Sequence, residues 1–377
     1  MRAAVLVLGL AVSACGVDDP PIQKREQAIG VPDNGFPSWE ERVILVLTNR
    51  ARVDPAAESA AVCGGSCATY PASKPLDYLA AAGRAARFQT TSLIKAKSGL
   101  MHESVCELVS NLGSLYPDSC DGSPSCACVG GAASCVCTGS APYCTAPGGL
   151  TAWNARVSRF GVSAAGENIA AGYSDPVAAF NGWVKSSGHW QNINNANHRR
   201  IGTGFFAGTG GCWSAMYAQV FTGGTAVTGL AGGAHHPKTG SATTSFKLWA
   251  NYTSAGAPQL ATVNIDGTCQ PMTLERGTGA NGTFLLQQTL AAGCHRYYFY
   301  FRDETGAITS YPSTGSYGLG VASSACADYS SDRPSLGAGC GGCTSAAECD
   351  DKNPCTQDTC VANTCQSAPV AGCCSTA

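Results

Sequence analysis

Three residues in the middle of the chain could act together in one site. They are His102, Glu167 and His189. Two imidazoles and a carboxylate are enough to hold Zn2+ or another divalent cation with open positions. The same groups could instead act as a general acid and base. They lie far apart along the chain, so spacing alone also allows three unrelated surface or capping residues. Whether they meet depends on the elements that carry them.

Helices and strands are predicted on both sides of each of these residues. Ser38 and Glu41 have the spacing of a capping box, so a first helix should start there and end before Asp54. A second helix is expected from Asp77 to Gly99, and a third should open at Asp175, with proline in its first position. Strands are expected at 200–206 and 212–221. This order is typical of a layered sandwich of helices and strands.

Six short motifs follow one another along the chain. They are Thr48-Asn49-Arg50-Ala51-Arg52, Met101-His102, Gly166-Glu167-Asn168-Ile169, Trp183 with Ser187-Gly188-His189, Asn192-Ile193, and Ile201-Gly202-Thr203-Gly204. In this order they resemble the CAP superfamily of cysteine-rich secretory, antigen 5 and pathogenesis-related proteins. The resemblance covers about residues 35–222 and is nearest to the bacterial, SCP-like extracellular branch. It implies an α-β-α sandwich with a shallow cleft lined by two histidines and acidic residues, which in some members binds zinc or another divalent cation.

Carried over to this chain, the cleft residues of the family are His102, Glu167 and His189. The second glutamate of the family has no counterpart, because Val184, Lys185 and Ser186 follow Trp183. Three ligands bind a metal less tightly than four. His198, just before the Ile-Gly-Thr-Gly strand, is either a fourth polar neighbour in the ligand site or an exposed histidine.

The cysteine content and the amino terminus indicate export. Twenty-two cysteines favour disulfides formed outside a reducing compartment, although zinc sites are the alternative. A short apolar run after Arg2 ends in Val12-Ser13-Ala14-Cys15, which resembles the lipobox of bacterial lipoproteins. Cys15 would then carry the lipid and hold the protein at the outer membrane or cell surface. The alternative is a plain secretory signal and a secreted protein.

Composition limits the partners. A net charge of −2 argues against nucleic acid, and no later apolar stretch is long enough to span a bilayer, so membrane contact would be through the lipid alone. Oligomeric state is left open. The expected partner is a small molecule or a cell-envelope component.

The chain divides into predicted segments by composition. They are a lipoprotein signal (1–15), a tether (16–34), the CAP-like domain (35–230) with a cysteine-rich insertion (103–148), a linker (231–242), an immunoglobulin-like β-sandwich (243–325), a second linker (326–339) and a cysteine-rich module (340–374). The fold class is therefore α+β. Cys269 and Cys294 are expected to bridge the β-sandwich.

Two smaller features of the carboxyl-terminal half bear on ligands. Half of the aromatic side chains in Tyr297-Tyr298-Phe299-Tyr300-Phe301 should face the core, and the other half could form a sugar-binding face. Acidic residues near Asp350 lack the glycine and glutamate of a calcium loop, so Ca2+ is not expected there.

Three functions remain open from sequence. The first is binding of a small lipid-like or wall-derived ligand in the cleft, with or without a metal. The second is a metal-assisted or acid–base hydrolase that uses His102, Glu167 and His189 on peptide or wall material. The third is a surface scaffold in which the cleft does no work.

Overall fold

A computed structural model describes residues 37–131, 134–138, 141–145, 148–209, 211–322, 326–337, 339–341, 346–350, 354–361 and 364–370. The predicted signal with Cys15 and the tether at 16–34 lie outside these residues. The helices are α1 (Trp39–Val53), α2 (Pro55–Cys63), α3 (Ala80–Lys95), α4 (Leu112–Leu115), α5 (Pro124–Ala127), α6 (Trp153–Ser158), α7 (Pro176–Lys185) and α8 (Ser187–Asn194).

The strands of the first half are β1 (Asp77–Tyr78), β2 (Ser134–Thr138), β3 (Ala141–Thr145), β4 (Ala164–Ala171), β5 (Arg200–Ala207) and β6 (Ala215–Thr222). Those of the second half are β7 (Gly229–His236), β8 (Thr239–Gly240), β9 (Phe246–Thr253), β10 (Leu260–Ile265), β11 (Thr268–Pro271), β12 (Thr273–Thr278), β13 (Asn281–Gln288), β14 (Gly293–Arg302), β15 (Ile308–Tyr311), β16 (Tyr317–Val321), β17 (Thr356–Val361) and β18 (Thr364–Pro369).

The first half is the three-layered sandwich that the sequence predicts. Its sheet has the strand order β1-β5-β6-β4, with β1 parallel to β5 and the other neighbours antiparallel. Helix α3 covers one face, while α1, α7 and α8 cover the other. The second helix starts at Ala80 rather than Asp77, because Asp77 and Tyr78 pair with β5 instead.

The Ile-Gly-Thr-Gly motif of β5 exists because α3 lies directly against that strand. A β-carbon on Gly202 would collide with the backbone of Ala82, and one on Gly204 with the backbone of Ala86. Small residues on both sides let the helix and the sheet approach this closely. The helix that leads to His102 is thereby fixed on the sheet that carries Glu167.

Helix α1 is buried on two sides. The predicted capping box is present, with the Ser38 hydroxyl accepting from the backbone of Glu41 and the Glu41 carboxylate accepting from the backbone of Ser38. One side of α1 packs on the sheet of the first half and on α7. The other meets the second half of the chain, where the Asn251 amide donates to the carbonyl of Val46 over 3.2 Å. The two halves therefore share this helix.

The second half is a β-sandwich of two sheets. One has the order β12-β13-β9-β7, and the other has β11-β10-β14-β16-β8 with β15 on β14. The prediction of a linker at 231–242 is wrong, because residues 229–236 form β7, which pairs with β9. Backbone pairing with β9, rather than an alternating pattern of side chains, makes this glycine-rich segment a strand.

The predicted Cys269–Cys294 bridge is also wrong. Cys269 pairs with Cys340, and Cys294 pairs with Cys326. Each bridge ties the sandwich to the segment that follows it, so the cysteine-rich module predicted from residue 340 is joined to the sandwich through its first cysteine. The segment predicted as a linker from residue 326 also packs on the sandwich, because Arg333 is buried and donates to Ser310 and Pro312.

The cysteine-rich insertion is stapled by disulfides, as predicted, through Cys106–Cys128 and Cys120–Cys126. The insertion is part of the core of the first half, because Leu108 and Leu112 are fully buried in the cluster around α3. In the described part of the chain, no helix is both long and apolar enough to cross a membrane.

Candidate functional site

The centre of the candidate site is the carboxylate of Glu167 on β4. This side chain is 5% exposed. One of its oxygens lies 2.9 Å from Nδ1 of His102, and the other accepts from the guanidinium of Arg156. The structure thus joins two of the three predicted residues directly, although 65 positions separate them in the chain.

Arg156, on α6, is a site residue that the sequence did not reveal. Its side chain is fully buried and also donates to the carbonyl of His102 over 2.8 Å. A buried carboxylate without a partner would be costly, so Arg156 allows Glu167 to lie inside the protein as an anion. A single arginine in a six-residue helix carries no sequence signal for this role.

His102 lies in the loop after α3, and a buried glutamine holds that loop in place. The Gln89 amide nitrogen lies within 3.2 Å of the carbonyls of Met101, His102 and Glu103. The imidazole itself is 44% exposed. Because Nδ1 is hydrogen-bonded to Glu167, only Nε2 of this half-exposed ring is left for a ligand.

His189, near the start of α8, is electrostatically close to His102. Burial lowers the pKa of His189, and the charge of His102 lowers this pKa further. Nδ1 of His189 is buried and has no hydrogen-bond partner among the described residues. The two imidazoles are therefore within electrostatic range of each other, and burial favours the neutral form of His189.

A chain of buried amides positions α8 on the sheet. The Asn168 side chain donates to the carbonyl of His189 over 3.1 Å and to Gln219 over 2.8 Å. Gln219 in turn donates to the Thr48 hydroxyl on α1 over 2.6 Å. Neighbouring residues of the Gly-Glu-Asn motif thus have separate roles, because Glu167 holds His102 and Asn168 holds the backbone of His189.

Asn49 and Arg52 are structural residues that bind the backbone of neighbouring segments. Asn49 exchanges two hydrogen bonds with the backbone of Leu76. Arg52 donates to the carbonyls of Lys74, Ile193 and Asn195.

His198 lies in the core of the first half. It is 2% exposed, and its ring stacks on Phe221 with the ring centres 4.9 Å apart. Both ring nitrogens lack a hydrogen-bond partner among the described residues. Burial, together with Arg52 and Arg199, lowers the pKa of His198 to about 4. The expectation of an exposed histidine is therefore wrong, and a role of His198 beside a ligand stays a prediction.

The predicted metal set is not arranged as a first coordination sphere. Among the described residues, no group of three or more His, Cys, Asp or Glu is placed to hold a metal ion. Glu167 already has both oxygens engaged, which leaves two imidazoles where a catalytic zinc site takes three protein ligands. The residues present do not fit a tightly bound zinc, and Zn2+ stays a prediction.

A cavity of about 540 Å³ lies on α8 but does not contain the three residues. Its lining includes Val184, Lys185, Ser187 and Trp190. Because successive helical residues turn by about 100°, His189 projects from the opposite side of α8. Ser187 therefore projects away from His189, and among the described residues it is not hydrogen-bonded to either imidazole.

Comparison with known families agrees with this geometry. The family model described as CAP, cysteine-rich secretory protein family, matches residues 132–221. That segment contains Glu167 and His189 on the sheet and helix described above, while His102 precedes it. This segment of the chain is thus similar to the CAP family. No curated protein matches the sequence.

Proposed function

We propose that this CAP-domain protein is exported and binds a small lipid-like or wall-derived ligand at His102, Glu167 and His189. The observation that supports the proposal is the half-exposed imidazole of His102, held at Nδ1 by a carboxylate that is itself paired with buried Arg156. Such a pair offers a ligand a fixed hydrogen-bonding group at little further ordering cost.

Binding is favoured over catalysis by what surrounds the imidazoles. Among the described residues, no serine, threonine or cysteine side chain is hydrogen-bonded to either ring, so the geometry provides no nucleophile and base. The low pKa of His189 adds a neutral imidazole, which both donates and accepts hydrogen bonds.

The test is binding of two probes, a soluble muropeptide and a short-chain phospholipid, to the full chain. We expect one of them to bind with a Kd that rises at least about tenfold in His102→Ala. The matched control is His295→Ala, because His295 is also hydrogen-bonded to a carboxylate, that of Asp266, but lies on the β-sandwich. Equal binding by His102→Ala and the parent protein would refute the proposal.

Metal dependence needs its own measurement. Metal analysis of protein purified from an oxidising compartment decides whether a divalent cation accompanies the site. On the present geometry we expect less than one equivalent of zinc, and no change in probe binding when a chelator is added.

A hydrolase is the second candidate, and one observation favours it. A histidine whose Nδ1 is hydrogen-bonded to a carboxylate resembles a general base with its orienting group. A panel of peptide and ester substrates, with and without chelator, separates the candidates. Turnover that His102→Ala and His189→Ala both abolish would replace the binding proposal with this one.

Export is supported by the CAP domain and by the disulfides, and we propose that Cys15 provides a lipid anchor. The expected result is incorporation of labelled fatty acid into the parent protein but not into Cys15→Ser. Labelling of both, or of neither, would contradict the anchor. The disulfides Cys106–Cys128 and Cys294–Cys326 fit an oxidising compartment in either case.

A further inference from the structure

A disulfide lines the cavity beside α8. The bridge joins Cys63, the last residue of α2, to Cys67, and both cysteines are partly exposed. By contrast, both cysteines of the Cys106–Cys128 bridge are buried. The cavity volume of about 540 Å³ lies within the range of roughly 300–1,000 Å³ that is usual for small-molecule sites. A small molecule in this cavity would therefore lie against the Cys63–Cys67 bridge.

The Cys63–Cys67 bridge closes a short loop. A disulfide stabilises a protein mainly by closing a loop in the unfolded chain, and the effect grows with the length of that loop. Cys63 and Cys67 are 4 positions apart, whereas Cys269 and Cys340 are 71 positions apart. Opening the short bridge should therefore cost the fold less than opening the long one.

Hydrogen bonds hold the same loop without help from the bridge. The backbone of Gly64 donates to the carbonyl of Ala60 over 3.1 Å. The indole of Trp190, on α8, donates to the carbonyl of Ala68 over 2.8 Å. Ala68 directly follows Cys67, so both ends of the loop are attached to helices. The loop can therefore keep its place when the bridge opens, and the reaction can be reversed.

The charge of the lining is positive. Lys185 is exposed and is one of the lining residues, and none of the described residues that line the cavity is acidic. A cleft lined by charge of one sign raises the local concentration of small ions of the opposite sign. The molecule that enters is therefore expected to carry a negative charge.

We propose that Cys63–Cys67 is a thiol–disulfide exchange site for a small anionic thiol. The thiolate sulfur of the entering molecule attacks Sγ of Cys63, forms a new S–S bond and breaks the bond to Cys67. The electron pair of the broken bond goes to Sγ of Cys67, which takes up a proton from water. The entering sulfur is oxidised and that of Cys67 is reduced, so the step needs no other oxidant or reductant.

A backbone contact assigns the two sulfur atoms their roles. Sγ of Cys67 lies 3.3 Å from the carbonyl oxygen of Val184. In the closed bridge this sulfur carries no proton, but a released Cys67 thiol can donate to that carbonyl. Cys67 is therefore the sulfur that is released, and Cys63 is the one that carries the mixed disulfide.

The test uses the full, oxidised chain with mercaptopropionate and cysteamine, two small thiols of opposite charge. The reaction is stopped with acid, free thiols are alkylated, and each bridge is followed by peptide mass spectrometry. Each rate is divided by the rate of the same thiol with a small disulfide in solution, because thiols differ in intrinsic reactivity. After this correction, mercaptopropionate should open Cys63–Cys67 at least about tenfold faster than cysteamine does.

The control bridge is Cys294–Cys326, whose two cysteines are also at least partly exposed but lie outside the cavity. The corrected rates of the two thiols should differ there by less than about threefold.

Two exposed lysines provide a matched pair of variants. Lys185 lines the cavity and Lys74 does not. Lys185→Ala should reduce the preference for mercaptopropionate about threefold, whereas Lys74→Ala should leave it unchanged.

The serine variants test the assignment of the two sulfur atoms. Cys67→Ser leaves a thiol at Cys63, which should form a mixed disulfide with dithiodipropionate. This reaction should be at least about fivefold faster than that of Cys67 in Cys63→Ser, because the Cys67 thiol is bonded to the carbonyl of Val184. Unfolding curves show whether either variant has lost the fold, and the parent protein tests the proposal without them.

Three results would overturn the proposal. They are equal corrected rates of the two thiols at Cys63–Cys67, the same charge preference at Cys294–Cys326, and equal effects of Lys185→Ala and Lys74→Ala. Faster reaction at Cys67 than at Cys63 in the serine variants would overturn the assignment of the mixed disulfide to Cys63.

Discussion

Two buried carboxylates in this protein, Glu41 and Glu167, are each paired with an arginine but differ in their other contacts. Glu41 accepts from Arg87 and from the backbone of Ser38 and Phe205, so both of its oxygens are satisfied inside the fold. Glu167 accepts from Arg156, but its other oxygen holds the half-exposed ring of His102. We interpret the Glu41 pair as structural, because its other contacts are with backbone groups. The Glu167 pair can also support ligand binding, because its other contact is with an exposed imidazole.

The largest expected effect is on the structural pair. Arg87→Ala leaves the Glu41 carboxylate, which is fully buried, without its charged partner. Breaking a buried pair in this way typically costs about 3–5 kcal/mol, and we expect that loss in the free energy of unfolding measured with denaturant.

The control for this variant is Arg159→Ala, since Arg159 is an exposed arginine of the same domain. It should change the free energy of unfolding by less than about 0.5 kcal/mol. A loss below about 1 kcal/mol in Arg87→Ala would mean that water enters and solvates Glu41, and the proposed difference between the two carboxylates would then disappear.

The next effect concerns a buried titratable group with no partner among the described residues. Because the pKa of His198 falls from 6.5 to about 4 on folding, the unfolded chain binds more protons between these values. The free energy of unfolding is therefore highest above about pH 6.5, where His198 is neutral in both states. It falls as the pH decreases towards 4, because only the unfolded chain then binds the proton. At about 1.4 kcal/mol for each pKa unit, the loss is about 3 kcal/mol.

The variant His198→Phe keeps a ring on Phe221 and removes the proton. Its unfolding free energy should fall less steeply between pH 6.5 and 4 than that of the parent. Some slope should remain, because burial also lowers the pKa of His235 to about 3. An unchanged slope would mean that His198 gains a partner or water in solution.

A smaller effect is expected at a carboxylate near the surface. Asp175 caps α7 by accepting from the backbone of Val177, and its other oxygen lies 3.0 Å from the imidazole of His236 on the β-sandwich. Since Asp175 is 43% exposed, Asp175→Ala should cost only about 1 kcal/mol, the usual value of a lost cap.

The variant Asp175→Asn separates the two contributions of Asp175. Asparagine caps about as well as aspartate but carries no charge, so most of the stability should return. A loss in Asp175→Asn as large as that in Asp175→Ala would show that the contact with His236 matters more than the cap.

The parts of the fold that could be predicted are those fixed by local rules. Ser38 and Glu41 predict the start of α1 because a capping box is a contact between near neighbours. Asp175 with Pro176 predicts the start of α7 for the same reason. The motif that contains Gly202 and Gly204 also helped to predict the fold. The close approach of α3, which requires these glycines, is visible only in the structure.

The wrong predictions concern residues whose contacts are with segments far away in the sequence. Residues 229–236 have the composition of a linker, and only pairing with β9 makes them a strand. Cys269 lies beside Cys340 rather than Cys294 because the following segment folds back over β14. Arg156 and the buried position of His198 likewise depend on packing between distant elements, which no local pattern records.

The smallest expected effect on stability is the one that best separates the two carboxylates. His102→Ala removes a ring that is 44% exposed, so water can reach the oxygen of Glu167 that the ring occupied. Arg156 still compensates the charge, and the free energy of unfolding should change by less than about 0.5 kcal/mol. A change of about 2 kcal/mol or more, approaching that expected at Arg87, would mean that His102 is a structural partner of Glu167 and is not held ready for a ligand.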